Sequence, residues 1–524
     1  MTVVDRAEEH AANHGAERAA NRAPEHAAGH GPDDARETDL GAALEALPAA
    51  EPGSLRTATV PLGDLDAIAL FAAARELDLE AALWLQPSEG MAIVGIGRAW
   101  AVEPGGPARF AEAGRSWRAL VARHGDGAAG ARDGAASARS GAGDGAAEPS
   151  GLPRGAGPVL LGGLGFTGRT PAADDEWAPF GSASLVLPEL AFARTSGGAF
   201  VTAAVTGGDG TGPRVLGRRW DALVARAREL APAAGALVAR PAAAPLATTG
   251  ERPDRAAWDR LVGLFAGAVG RGRIDKVVLA RRVALRSPLE LDPVNALRRL
   301  AAAGPESTTF AFVRDGVTFL GATPERLART EGRAFRTAAI AGSAPRGADA
   351  AEDARLAAAL QASDKEREEH AVVVTMLRDA LRPIVERLDV APTPGILALR
   401  DVQHLSTLME GVLRDESGIL ALAERLHPTP AVGGEPRDAA LALIAEHEGF
   451  DRGWYAGPVG WLGADGDGEL MVALRCGLVE GPRVTLFAGC GIVADSDPAR
   501  EWEESRIKLR PVVSAVGRLE DVDR

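Results

Sequence analysis

The chain has 524 residues and a formal charge of −14, and no dense Lys/Arg block interrupts that acidic balance, so nucleic acid is not expected as its main partner. No stretch reaches the roughly eighteen uninterrupted apolar residues of a membrane span and the N-terminus has no apolar signal core, which points to a cytoplasmic protein. Hydrophobic residues make up 46% of a chain too long for one simple core, so two domains or one large compound domain are expected.

Residues 1–45 are mostly Ala, Glu, Arg, Asn and His, a composition that cannot offset ordering entropy by burial, and they read as a disordered tail. His10, His14, His26 and His30 lack a cysteine or carboxylate cluster to close a metal site and read as solvated. Residues 46–250 read as the N-terminal part of the fold, patterned from Thr57 on, with strand-like runs at MAIVGIG (91–97), PVLLGGLGF (158–166) and SASLVLPELAFART (182–195). Residues 124–157 are small and polar, the signature of a flexible surface insertion.

After Thr249 a helix over Arg252–Gly270 leads into a C-terminal region, 251–524, that holds the informative residues. Lysine is rare: Lys276, Lys365 and Lys508 are the only three, and arginine fills the other basic positions. A guanidinium cannot be deprotonated in a protein, whereas a desolvated lysine becomes a neutral amine and acts as a base. Lys276 opens the β-branched run KVVLA and belongs on a strand. FLGATPERLART reads as a strand ending in a Thr-Pro turn that presents Glu325. A lysine and a carboxylate on neighbouring strands divide the work of base and acid if burial moves their pKa values toward each other.

TAAIAGSAPRG (337–347) places Gly342, Ser343 and Gly347 in a turn whose backbone N–H groups suit an anion. Residues 363–388 read as a helix capped by Ser363 or Asp364, in which Lys365 forms a surface ion pair and His370 packs inward. Residues 497–511 read as another, capped by Asp497. On it Glu501, Glu504 and Lys508 fall at i, i+3 and i+7 and share one face. Carboxylates converging from two helices favour Mg²⁺ over zinc. Cys476 and Cys490 form neither a disulfide framework nor a zinc site and read as packed thiols.

Taken together, KVVLAR (276–281), GATPERL (321–327), AGSAPRG (341–347), SDKEREEH (363–370), LHPTPAVGG (426–434), FDRGWYAGPVGW (450–461), ALRC (473–476), AGCGIV (488–493) and EWEESRIKL (501–509) resemble the chorismate-utilising family. That family includes isochorismate, anthranilate, aminodeoxychorismate and salicylate synthases. The resemblance implies an α+β fold of two packed β-sheets flanked by outer helices, in α/β/β/α layers. Members that add water resemble this chain in having lysine at the head of the KVVL strand, and Ala431 stands where salicylate and anthranilate synthases tend to have threonine. Both features imply a Mg²⁺-dependent isochorismate synthase, with a salicylate synthase that goes on to lose pyruvate as the alternative.

By the same resemblance, Lys276 activates the water and Glu325 protonates the departing hydroxyl. Glu369, Glu504 and Glu501 correspond to Mg²⁺ ligands, and Gly342, Ser343, His404, Ala431, Tyr455, Arg475, Gly489 and Lys508 to the substrate pocket. The implied partner is the small molecule chorismate, bound by a monomer or weak homodimer. Whether the product feeds menaquinone, a catechol siderophore or salicylate is open at this stage.

Overall fold

A computed structural model describes residues 40–47, 50, 53–123, 151–207, 211–233, 242, 244–398 and 402–520. The tail up to residue 39 and residues 124–150 of the insertion lie outside them. Leu40–Glu45, assigned by composition to the tail, is a helix that buries Leu40 and Leu44, and residues 151–157 of the insertion end in the buried Ala156.

Two large sheets organise the described residues. The first, of thirteen strands, runs in spatial order Leu55–Leu62, Gly198–Thr206, Leu190–Thr195, Met91–Ile96, Ala81–Gln86, Thr308–Arg314, Val317–Thr323, Cys476–Glu480, Arg483–Ile492, Lys276–Arg286, Pro245–Arg252 and Arg518–Leu519, with Gly434–Glu435 beside the lysine strand. The second, of ten, runs Val385–Val390, Val402–Leu413, Ala334–Pro345, Arg326–Glu331, Gly468–Val472, Pro458–Gly463, Val159–Leu164, Ala183–Leu187 and Trp100–Val102, with Gly395–Ala398 against Val402–Leu413. Both sheets mix strands from either side of residue 250, and the described residues belong to a single unit.

Burial explains the layers. Every residue of Ala81–Gln86 and Met91–Ile96 is buried, because these strands are covered on both faces. Between the sheets, Trp177 meets Phe319 at 5.1 Å and Phe180 meets Trp454 at 5.3 Å, edge to face. On the outer side of the first sheet pack the helices Ala67–Glu76, Pro293–Ala303 and Pro498–Val516, and on the second Gly418–Leu426 and Asp364–Leu381.

Several boundaries differ from the sequence reading. SASLVLPELAFART is two strands in two different sheets, Ala183–Leu187 and Leu190–Thr195, with Pro188 between them. The helix expected from Arg252 starts at Arg255, capped by Asp254, since Arg252 belongs to a strand paired with Arg282. The helix expected over 363–388 ends at Leu381: Arg382 is still helical, but Pro383 has no N–H to carry the ladder on, and Val385–Val390 becomes an edge strand. The last helix instead runs through Pro511 to Val516. Ile507, whose carbonyl Pro511 leaves without an N–H, is solvent-exposed, so water can satisfy it.

Candidate active site

Lys276 heads the strand Lys276–Arg286, held on one edge by Gly434–Glu435 and on the other by Arg483–Ile492. Its stem lies over Gly491, where a β-carbon would collide with Lys276 Cε and come within 3.0 Å of Nζ. Burial, with Lys508 adding to it, holds the Lys276 amine below the usual lysine range, against the pull of Glu369, Glu325 and Glu504.

Glu325 sits in the short link between Val317–Thr323 and Arg326–Glu331. Its carbonyl accepts the Val472 N–H at 2.9 Å, and its own N–H donates to Thr323 Oγ1 at 3.3 Å, so the link is pinned to two strands. Burial raises the Glu325 carboxyl above the usual range, opposed by Arg475, Lys276 and Lys508. Glu325, Thr429 and Ala431 line one cavity. Lys276 and Glu325 therefore feel each other's charge, and burial displaces each toward its neutral form.

Arg475 has φ +49°, left-handed backbone that a non-glycine residue seldom adopts, at the turn into Cys476–Glu480. Its charge reaches Glu325, His404 and Glu504. Tyr455 is buried, stacked on Phe487 at 5.4 Å, and its hydroxyl lies 2.9 Å from where a β-carbon at Gly489 would stand. Burial pushes the Tyr455 phenol up, so it stays protonated.

Gly342 and Ser343 are not in a turn. They form a bulge within the strand Ala334–Pro345, where the register against Val402–Leu413 shifts and Gly342 takes φ +76°. There Ser343 Oγ lies 2.8 Å from His404 Nδ1, and the Ser343 N–H donates to Glu366 Oε2 at 3.2 Å. The backbone does meet a carboxylate, but it is the protein's own. Burial first, then Lys508, Arg475 and Lys276, lower the His404 pKa to about 4 and keep the ring neutral.

Glu501 and Glu504 on the helix Pro498–Val516 and Cys490 Sγ on the strand Arg483–Ile492 each offer a ligand atom within 4.8 Å of the others. Lys508 Nζ lies 2.6 Å from Glu504 Oε1 and donates to the Gly489 carbonyl at 2.9 Å. Burial tends to raise the Glu504 carboxyl, but Lys508, Lys276 and Arg475 together outweigh it and the net shift is downward; burial raises that of Glu501. The Cys490 thiol donates to the Glu501 carbonyl at 3.2 Å, and burial pushes its pKa to about 12, so it is a neutral packing group. Two carboxylates in a partly open setting suit a hard, hydrated cation such as Mg²⁺.

Glu369 lies outside that cluster. It is half exposed and 3.9 Å from Lys365, the helix-surface pair expected for that lysine, though its charge registers at Lys276. His370 is buried between the Ala341 carbonyl, 3.2 Å away, and Thr407 Oγ1, 2.6 Å away, as a packing group. Two contributors were not singled out from the sequence: Gly491, whose place in the quoted AGCGIV was its signal, and Glu366, three residues before Glu369 on the same helix face.

Residues 146–517 match the family model described as chorismate binding enzyme. The chain belongs to the chorismate-binding enzymes. It is 36% identical over 474 residues to the salicylate biosynthesis isochorismate synthase of Pseudomonas aeruginosa, covering 89% of this chain and 92% of that one. It is 35% identical over 365 residues to the isochorismate synthase MenF of Bacillus subtilis, covering 69% and 75%. Among solved structures, the menaquinone-specific isochorismate synthase MenF of Escherichia coli superposes with a TM-score of 0.71 at 26% identity, over 91% of this chain and 99% of that chain. The two-sheet fold is thus the one these chorismate-utilising enzymes share. Among the described residues no helix is long and apolar enough to cross a membrane.

Proposed function

We propose that this chain is an isochorismate synthase, an isomerase that converts chorismate to isochorismate. The observation that carries the reading is Lys276: a lysine whose proton is destabilised by burial, within electrostatic reach of a carboxyl whose proton is stabilised by it. The relatives named above bear the same activity in their names.

Lys276 as a neutral amine takes a proton from the water that attacks C2 of the substrate. The ring double bonds shift, the C4–O bond breaks, and Glu325 gives its proton to the departing hydroxyl, which leaves as water. Net composition is unchanged, and the Lys276 ammonium and Glu325 carboxylate reset by exchanging the proton with solvent. A bound Mg²⁺ would neutralise the ring carboxylate, with Glu504 and Glu501 as the residues to hold it and Glu369, outside their cluster, joining only if its side chain turns from Lys365. Lys508 keeps Glu504 ionised and Arg475 supplies a fixed cation for the substrate's other carboxylate, with the Tyr455 hydroxyl as a donor beside Gly489. Ser343 and the neutral His404, joined at 2.8 Å, would offer uncharged polar contacts to the substrate. Such an enzyme of a small soluble metabolite would work in the cytoplasm.

The test is chromatography of chorismate incubated with the purified chain, with and without Mg²⁺. Isochorismate formed without pyruvate is the expected result. Salicylate with enzyme-dependent pyruvate would move the chain to the lyase branch, and no turnover by folded protein would refute the reading.

A further inference from the structure

The strand that carries Lys276 is incompletely paired. Arg483–Ile492 covers one edge from Val277 to Arg286, but the other edge is covered in two pieces, Gly434–Glu435 opposite Lys276 and Val277, and Pro245–Arg252 from Arg282 onward. Between the pieces, backbone groups at 278–281 face no strand, and buried backbone groups require partners.

One loop carbonyl and two side chains fill the gap: the Val278 N–H donates to the Gly433 carbonyl at 3.0 Å. The Val278 carbonyl accepts from Arg452 Nη2 at 2.8 Å, and the Ala280 N–H donates to Glu448 Oε1 at 2.6 Å. Glu448 and Arg452 are themselves joined two-pronged, Nε to Oε2 at 2.7 Å and Nη2 to Oε1 at 2.6 Å, with side chains only 2% exposed. Arg452 Nη1 also donates to the Val432 carbonyl at 2.8 Å, next to Ala431, and the guanidinium lies 4.3 Å over the Phe166 ring.

A buried ion pair is a poor source of stability, since apolar residues of like volume often replace one without loss. What this pair does supply is directional bonding to two backbones, and both lead to the pocket. We propose that Glu448 and Arg452 are positioning residues: they act as a short surrogate strand that fixes the height of Lys276 and docks the loop bearing Ala431 against it. This inference rests on the reading of Lys276 as the base. A misplacement of about 1 Å at a reacting group costs on the order of a hundredfold in rate, so the device acts on turnover more than on binding.

The test uses the full chain with saturating Mg²⁺ and chorismate as substrate. Arg452→Lys, and the paired change Glu448→Leu with Arg452→Met, are compared with the parent chain for thermal unfolding, kcat, KM and the pH profile of kcat. Expected are folded proteins with kcat lowered about tenfold or more, KM within about threefold, and an acid limb displaced to higher pH as water reaches Lys276. Glu448→Gln keeps an acceptor for the Ala280 N–H and is expected to rescue most of the turnover. If the paired variant does not fold, Arg452→Lys decides. Folded Arg452→Lys with kcat within about twofold of the parent and an unmoved pH profile overturns the proposal. Lys276→Ala in the same series separates the two ideas: normal turnover there would refute the base assignment itself.

Discussion

The stem of Lys276 occupies the space that a side chain at Gly491 would need. Gly491 pairs with Val278 across the two strands, so the register places a residue without a β-carbon beneath the proposed base. A methyl group there meets the far end of a flexible side chain, which moves at little cost, rather than backbone. Gly491→Ala is therefore expected to keep the fold, with stability within about 1 kcal/mol, and to lower kcat by at least about tenfold while KM changes little. Steady-state kinetics and thermal melts of the variant check this.

In the proposed mechanism, turnover requires Lys276 unprotonated and Glu325 protonated. As pH rises, the lysine gains its active form, earlier than a free lysine would because its pKa is lowered; the carboxyl loses its active form, later than usual because its pKa is raised. The kcat profile should be bell-shaped. Glu325→Gln, which has nothing to ionise, should leave a profile that only rises with pH, at a rate reduced about a hundredfold or more. A bell that survives in that variant would mean the falling limb belongs to another group.

Lys276→Ala and Lys276→Arg should both lose between about a hundred- and ten-thousandfold in kcat with the melting temperature preserved, since neither offers a neutral amine. Full turnover by the arginine variant in a chorismate assay would show that the charge, not the base, matters.

The parts of the site legible in the sequence are those set by short-range spacing. Glu501, Glu504 and Lys508 lie on one helix face by periodicity alone, and the Glu504–Lys508 pair follows from it. The scarcity of lysine singled out Lys276, and the motif string led to the two-sheet fold. What escaped depends on pairings distant in the chain. Gly491 matters only once the register against Val278 is known, and Glu448 with Arg452 only once the gap in the strand's outer edge is seen. The Gly342–Ser343 bulge resembled a turn because both use small residues and positive φ, and only its partner strand distinguishes them.

Removal of a carboxylate from the last helix should appear in metal binding before it appears in folding. Glu504→Ala leaves Lys508 without its ion-pair partner, held only by the Gly489 carbonyl, and replaces a negative group with none. The Mg²⁺ concentration for half-maximal activity is expected to rise about tenfold or more, and calorimetric titration of Mg²⁺ should show the same loss without chorismate. Chelation should abolish turnover reversibly. An unchanged metal titration would remove Glu504 from the ligand set.

His427 gives the chain a built-in acid sensitivity. It is buried, its Nε2–H donates to the Phe166 carbonyl at 3.0 Å, and Nδ1 has no hydrogen-bond partner. Burial lowers its pKa from 6.5 to about 3, so the folded ring stays neutral where the unfolded chain binds a proton. Above pH 6.5 both states are neutral and the group has no effect on stability. Between 6.5 and about 3 the unfolded state alone takes up the proton, and stability falls by up to about 1.4 kcal/mol per pH unit from this residue. His427→Gln cannot take up that proton, so its unfolding free energy should fall less steeply across the same window. Urea titrations of both proteins at stepped pH measure the difference in slope, and parallel curves would show that His427 does not titrate on unfolding.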